Sequence, residues 1–95
     1  MISFISPEDA AIAIAERTRV RRLADNLSRK TLAEKSGVSE ASIKRFETTG
    51  EIALVSLLKI AFTLDCLQNF EGTFAPKEIV SIKDITAPSR SRGRK

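Results

Sequence analysis

The side chains best placed to do chemistry in this sequence are the basic ones between residues 17 and 45. This stretch holds nine Lys and Arg residues against three acidic ones, a net charge of +6. Residues 1–16 and 46–85 each carry −3, and the last ten residues carry +4. A concentrated basic face attracts a polyanion and steers its approach. A solvated helix face has the same composition, so charge alone leaves both interpretations open.

The residue types used most in catalysis and metal binding are scarce. The 95 residues include no His and one Cys, Cys66, which excludes a Ser-His-Asp triad, a Cys-His dyad, an imidazole zinc site and an internal disulfide. The sequence therefore predicts a binding protein that is not an enzyme, with no catalytic residues, no metal site and no cofactor. The lone Cys fits a reducing compartment. Neither a secretory signal nor a membrane span is expected, and the predicted location is cytoplasmic.

Helix signals recur along the chain as far as Pro76. Ser6, Ser28 and Ser39 can each cap a helix, and Pro7 suits a first helical position. The predicted class is all-α with five helices, at residues 7–27, 29–36, 40–47 and 54–64 and in a short helix marked by Leu67, Phe70 and Phe74. The apolar side chains expected on or near the buried faces are Ile12, Val20, Leu23, Leu27, Leu32, Ala33, Ile43, Phe46, Leu54, Leu57, Leu58, Ala61 and Leu64, with Ile60 between the last of these.

Beyond Pro76 the sequence changes character. Ile79-Val80-Ser81-Ile82 can form one short strand, and from Thr86 onward Pro, Ser, Gly and Arg predict a disordered basic tail. The predicted organisation is a lead-in at residues 1–6, a helical domain at 7–75, a possible dimerisation strand at 76–85 and a flexible tail at 86–95.

The second and third predicted helices form a helix-turn-helix motif. Ala33 is small where the helices cross, Gly37 makes the turn, and Val38 and Ile43 fill the angle between them. This geometry lets the second helix of the pair enter a DNA major groove while the first crosses the backbone. The alternative is a merely structural helix pair, and the spacing of the small residue, the Gly and the β-branched residue favours DNA binding over it.

Residues 14–74 resemble the helix-turn-helix domains of the lambda-repressor-like (XRE) family of transcriptional regulators. Within that family the chain is most similar to HipB-type antitoxins. The features that indicate this are the short single-domain format, the Phe4 and Ser6-Pro7 lead-in to the first helix, and the possible strand after the fifth helix. The resemblance implies a homodimeric repressor that binds palindromic operators in double-stranded DNA and regulates its own operon. It also implies a partner, a HipA-type serine/threonine kinase toxin that the antitoxin neutralises, and association with the bacterial nucleoid when the operator is bound.

The resemblance also implies which residues contact DNA. They are Arg29, Lys30, Ser39, Glu40, Ala41, Ser42, Lys44, Arg45, Thr48 and Thr49. Arg45 can bind guanine O6 and N7, Ala41 can pack on a thymine methyl, and Glu40 can accept from cytosine N4. Lys30 and the two threonines are placed for phosphate oxygens. Glu40 and Lys44 can instead pair with each other across one helical turn, and Ser39 is first of all a cap.

Two other functions fit the same residues. One is a stand-alone regulator of the same family without a toxin partner. The other is a protein-interaction module whose helix-turn-helix no longer binds DNA. Dimerisation is expected to use the fifth helix and residues 78–85, where two copies of the strand can pair and protect their edges. The basic tail is expected to contact DNA non-specifically.

Overall fold

The computed structural model describes residues 6–76, which form four α-helices and one 3-10 helix. The helices are α1 (Pro7–Ala24), α2 (Arg29–Ser36), α3 (Glu40–Thr49) and α4 (Leu54–Thr63), followed by the 3-10 helix Leu67–Phe70. No strand occurs between residues 6 and 76. The strand predicted at 79–82 and the basic tail predicted at 86–95 lie outside the described residues.

The three predicted serine caps are confirmed. Each serine has an extended backbone, and its hydroxyl oxygen accepts the amide N–H three residues further on. The pairs, each with an N–O distance of 3.0 Å, are Ser6 with Asp9, Ser28 with Thr31 and Ser39 with Ser42. A side chain of this kind satisfies one of the amides that the first helical turn leaves without a partner, which fixes where the helix begins.

The core lies where α2, α3 and α4 meet. Leu32 of α2, Ile43 of α3 and Ile60 of α4 are fully buried there, together with Val38 from the turn and Leu64 after α4. Burial of the predicted residues Leu32 and Ile43 is thus confirmed. The core anchors α3 by one face only, so the opposite face of that helix remains on the surface.

The prediction for α1 is wrong in its end and in its buried face. The helix ends at Ala24, because Asn26 adopts a left-handed conformation with φ 59°. Ile12, Val20 and Leu23 are 55%, 54% and 46% exposed. The buried residues of α1 are Ala15 and Arg22, which lie seven residues apart and therefore on one face. That face packs on α3, so a small residue and a charged one take the place of the apolar stripe.

The predicted fifth α-helix is not confirmed. Between Leu67 and Pro76 the chain forms the four-residue 3-10 helix and then turns. Asp65 and Phe74 have φ values of 60° and 62°, and a left-handed residue interrupts a right-handed helix. The Phe74 side chain is 99% exposed and Leu67 is also exposed. Leu54, predicted to face inward on α4, is exposed as well, so α4 uses Ile60 and Ala61 for its core contacts.

Candidate nucleic-acid interface

The turn between α2 and α3 sets the direction of the outer helix. Gly37 ends α2 with φ 81°, and its N–H donates to the Ala33 carbonyl at 2.9 Å. Only glycine takes this conformation without steric strain. Val38 is buried immediately after the turn, Ile43 is buried one helical turn into α3, and Ala33 packs against the same cluster. The structure thus places the four predicted motif residues at the corner between the two helices.

Helix α3 divides into a buried face and an exposed face. Ile43 and Phe46 face the core, while the outer face is exposed and carries Glu40, Ala41, Ser42, Lys44, Arg45, Thr48 and Thr49. An α-helix with its side chains is about 10–12 Å in diameter, and the major groove of B-DNA is about 12 Å wide and accepts a helix. The structure therefore brings seven of the predicted contact residues onto a surface of the right size.

Arg45 has an ion-pair partner on the surface. Its Nη2 donates to Oε1 of Glu51, just beyond the end of α3. The side chains of the two residues are 68% and 66% exposed. Among the ion pairs of residues 6–76, a pair between Glu40 and Lys44 does not appear. The guanidinium expected to contact a base is therefore held by a neighbouring carboxylate, a partner that the sequence interpretation missed.

The hydroxyl groups of α3 are engaged in local hydrogen bonds. Thr48 and Thr49 donate to the carbonyl oxygens of Lys44 and Arg45, each at 2.8 Å. Ser39 Oγ, besides capping α3, donates to Ser42 Oγ at 2.8 Å. A phosphate oxygen needs a donor, so the hydroxyls of Ser39, Thr48 and Thr49 would have to give up their local acceptors to contact DNA, whereas Ser42 only accepts in these bonds.

A buried ion cluster ties α1, α2 and α3 together. The Glu47 side chain at the inner side of α3 is only 2% exposed. Arg22 of α1 donates through Nε to Glu47 Oε2 at 2.7 Å and through Nη2 to Oε1 at 3.1 Å. Its Nη1 donates to the carbonyl of Leu27 at 2.8 Å. Arg29 of α2 donates through Nε to Glu47 Oε1 at 2.9 Å. Three helices thus share one carboxylate.

The charge state of Glu47 follows from these contacts. Burial raises the pKa of its carboxyl, but the hydrogen bonds and positive charges of Arg22 and Arg29 lower it by more. The net pKa lies below the ordinary value of 4.5. Glu47 is therefore ionised at neutral pH, and the cluster carries one negative and two positive charges.

The cluster changes the interpretation of Arg29. This residue was expected to contact DNA. It is the first residue of α2, its side chain is bound to Glu47, and 37% of that side chain is exposed. A structural role is therefore established for it, and contact with DNA stays a prediction. One signal for the cluster existed in the sequence: Glu47 lies four residues after Ile43 and so falls on the apolar side of α3, whereas α1 gives no such signal for Arg22. Lys30, next to Arg29, is exposed.

The described part of the chain holds no group of three or more metal-binding side chains. None of its helices is long and apolar enough to cross a membrane.

No curated protein matches the chain. Residues 19–67, from the last third of α1 to the first residue of the 3-10 helix, match the Cro/C1-type helix-turn-helix DNA-binding domain. That match spans more than half of the 95 residues and contains α2, the turn and α3. The chain therefore belongs to the family of Cro/C1-type helix-turn-helix DNA-binding domains.

Proposed function

We propose that this protein is a sequence-specific transcriptional repressor that reads the major groove with α3. The observation that carries the proposal is the arrangement of α3. Ile43 and Phe46 fix the helix to the core, and its whole outer face is polar or small and exposed. Of the nine basic residues between 17 and 45, Arg22 and Arg29 are bound to Glu47. Exposed ones such as Lys30, Lys44 and Arg45 supply the attraction to phosphate that all DNA binding needs.

Within this proposal five of the exposed residues have a specific chemical role. Arg45 binds guanine through its fork of donors, because arginine to guanine is the commonest specific contact. Ala41 packs on a thymine methyl and Glu40 accepts from cytosine N4. Lys44 and Lys30 contact phosphate and fix the register of the helix without reading sequence.

The repressor would act as a homodimer on a palindromic operator. Two copies of α3 in successive major grooves require half-site centres about 34–36 Å apart. Apolar side chains left exposed near the 3-10 helix, Leu67 and Phe74, support an interface on that side, because a dimer would remove them from water. The expected contribution of residues 78–85 lies outside the described part of the chain.

The more specific proposal is that the protein is the antitoxin of a HipA-type kinase toxin and represses its own operon. It rests on the resemblance to HipB-type antitoxins. Purification from native cells tests it, because an antitoxin would copurify with a kinase and a stand-alone regulator would not. In this function the protein is cytoplasmic and joins the nucleoid when it binds its operator.

Selection from random duplex DNA tests the repressor function directly. The wild-type protein should enrich a palindrome with the half-site spacing given above. Arg45→Ala should weaken binding by about 1–3 kcal/mol and relax preference at one position per half-site. Lys59→Ala, at an exposed site on α4, is the matched loss of one positive charge and should keep the preference. A uniform loss in Arg45→Ala would make Arg45 a phosphate contact, and no enrichment by the wild-type protein would contradict the function.

A further inference from the structure

Helix α3 ends at a glycine with a left-handed conformation. Gly50 ends the helix with φ 85°, and its N–H donates to the Phe46 carbonyl at 2.7 Å. A Cβ at this position would lie 3.1 Å from atoms of Ala11 in α1. The end of α3 is therefore fixed by the backbone conformation of Gly50 and by its close approach to α1, and Glu51, the next residue, lies within hydrogen-bond distance of Arg45.

A short network holds Glu51 in that place. Its backbone N–H donates to Thr49 Oγ1 at 3.1 Å, and the same hydroxyl donates to the carbonyl of Arg45 at 2.8 Å. Its carboxylate accepts from Nη2 of Arg45. Glu51 is thus joined to Arg45 through the backbone on one side and through its side chain on the other.

We propose that Glu51 is an internal competitor of DNA for Arg45, and this inference rests on the proposed repressor function. A carboxylate offers two acceptor oxygens to a guanidinium fork, as guanine offers O6 and N7 and as phosphate offers its oxygens. The pair engages Nη2 of Arg45, and each of the two edges through which a guanidinium binds a fork of acceptors includes this nitrogen. Guanine or phosphate therefore competes with Glu51 for one edge of the guanidinium, and the Glu51 carboxylate also repels phosphate, so Glu51 lowers the affinity of the free protein for any duplex.

Because the Arg45–Glu51 pair is exposed to solvent, Glu51 competes only weakly with DNA for Arg45. Both side chains are about two-thirds in water, and exposed ion pairs hold together weakly. DNA can therefore displace the carboxylate, and the pair does not abolish binding. Removing the carboxylate should raise affinity by roughly two- to fivefold, the factor that corresponds to a typical exposed pair.

A double-mutant cycle separates competition from a general charge effect, since removing any acidic residue near DNA reduces repulsion. The variants are Glu51→Gln, Arg45→Gln and the double variant, with Glu71→Gln as an exposed control carboxylate in the turn after the 3-10 helix. The probe is a 30-base-pair duplex of mixed sequence in low salt, and the readout is fluorescence anisotropy. Folding of each variant is checked by circular dichroism.

The expected result is a two- to fivefold rise in affinity for Glu51→Gln that disappears when Arg45 is already Gln. The Arg45 Nε–H resonance of the free protein should also shift in Glu51→Gln. An equal rise in both backgrounds, a rise no larger than that of Glu71→Gln, or no rise at all would overturn the inference while leaving the repressor function standing. Failure of the wild-type protein to bind the duplex would overturn both.

Discussion

Replacing Glu47 with Gln is the sharpest perturbation of the fold. The Glu47 carboxylate accepts three hydrogen bonds, two from Arg22 and one from Arg29. A Gln of nearly the same size keeps one acceptor oxygen but turns an NH2 donor toward a guanidinium donor. It also leaves Arg22, a buried residue, without its counter-charge. Removing one partner of a buried pair costs about 3–5 kcal/mol, and we expect the lower end, about 3 kcal/mol, because one acceptor remains.

The expected loss is large for a chain of this length. Ninety-five residues correspond to a free energy of unfolding of about 5–14 kcal/mol, so Glu47→Gln should still fold. Its midpoint temperature should fall by roughly 12–24 °C. Urea denaturation followed by circular dichroism measures the change in free energy. The control is Glu16→Gln, which removes the solvent-exposed pair with Arg19 and should cost less than about 0.5 kcal/mol.

The pH dependence of the same pair of proteins gives a second check. The pKa of Glu47 is lowered in the folded protein, so its contribution is complete at pH values well above 4.5. That contribution is lost as the pH falls through the folded-state pKa. The gap in stability between wild type and Glu47→Gln should therefore be constant near neutral pH and close below about pH 4.5. A gap no larger than that of Glu16→Gln, or one that widens in acid, would refute the cluster as described.

The remaining perturbations concern the turns and the buried face. Gly50→Ala should lower the free energy of unfolding by about 2 kcal/mol or more, because φ is positive and the added Cβ would press on α1. Gly37→Ala should lower it by about 1 kcal/mol, because φ is positive there too but the space around the residue is open. Equal losses for the two would show that the contact with α1 is unimportant. Ile60→Ala should cost about 2–5 kcal/mol, and Val20→Ala, at an exposed site, less than about 0.5 kcal/mol. Urea denaturation checks all four, and a large loss for Val20→Ala would show that α1 buries the face assigned to solvent.

The sequence predicts the helix-turn-helix well, because its signals are local. A serine cap bonds three residues ahead of itself, and Gly37 ends α2 within one turn, so neither requires knowledge of distant residues. The same holds for the outer face of α3, since Ile43 and Phe46 are separated by one helical turn and identify the inner side.

The failures have the opposite cause. Arg22 and Glu47 are 25 residues apart, and no local pattern pairs them. The apolar side chains of α1 favoured Ile12 and Val20 as core residues, yet α1 packs through Ala15 and Arg22. The surface of α3, against which α1 packs, determines which face is buried. Beyond α4, the spacing of Leu67 and Phe74 indicated a helix face, but the chain forms a short 3-10 helix and then a turn, which leave both side chains exposed.

The salt dependence of DNA binding tests most directly the central claim that this protein binds duplex DNA through its basic residues. If each protomer of a dimer makes about three phosphate contacts, the logarithm of the binding constant should fall against the logarithm of salt concentration with a slope near −5. The measurement uses wild-type protein and the duplex selected by it, from low to physiological salt. Tight binding at low salt with that slope is the predicted result. Binding that is absent, or that does not change with salt, would contradict the account.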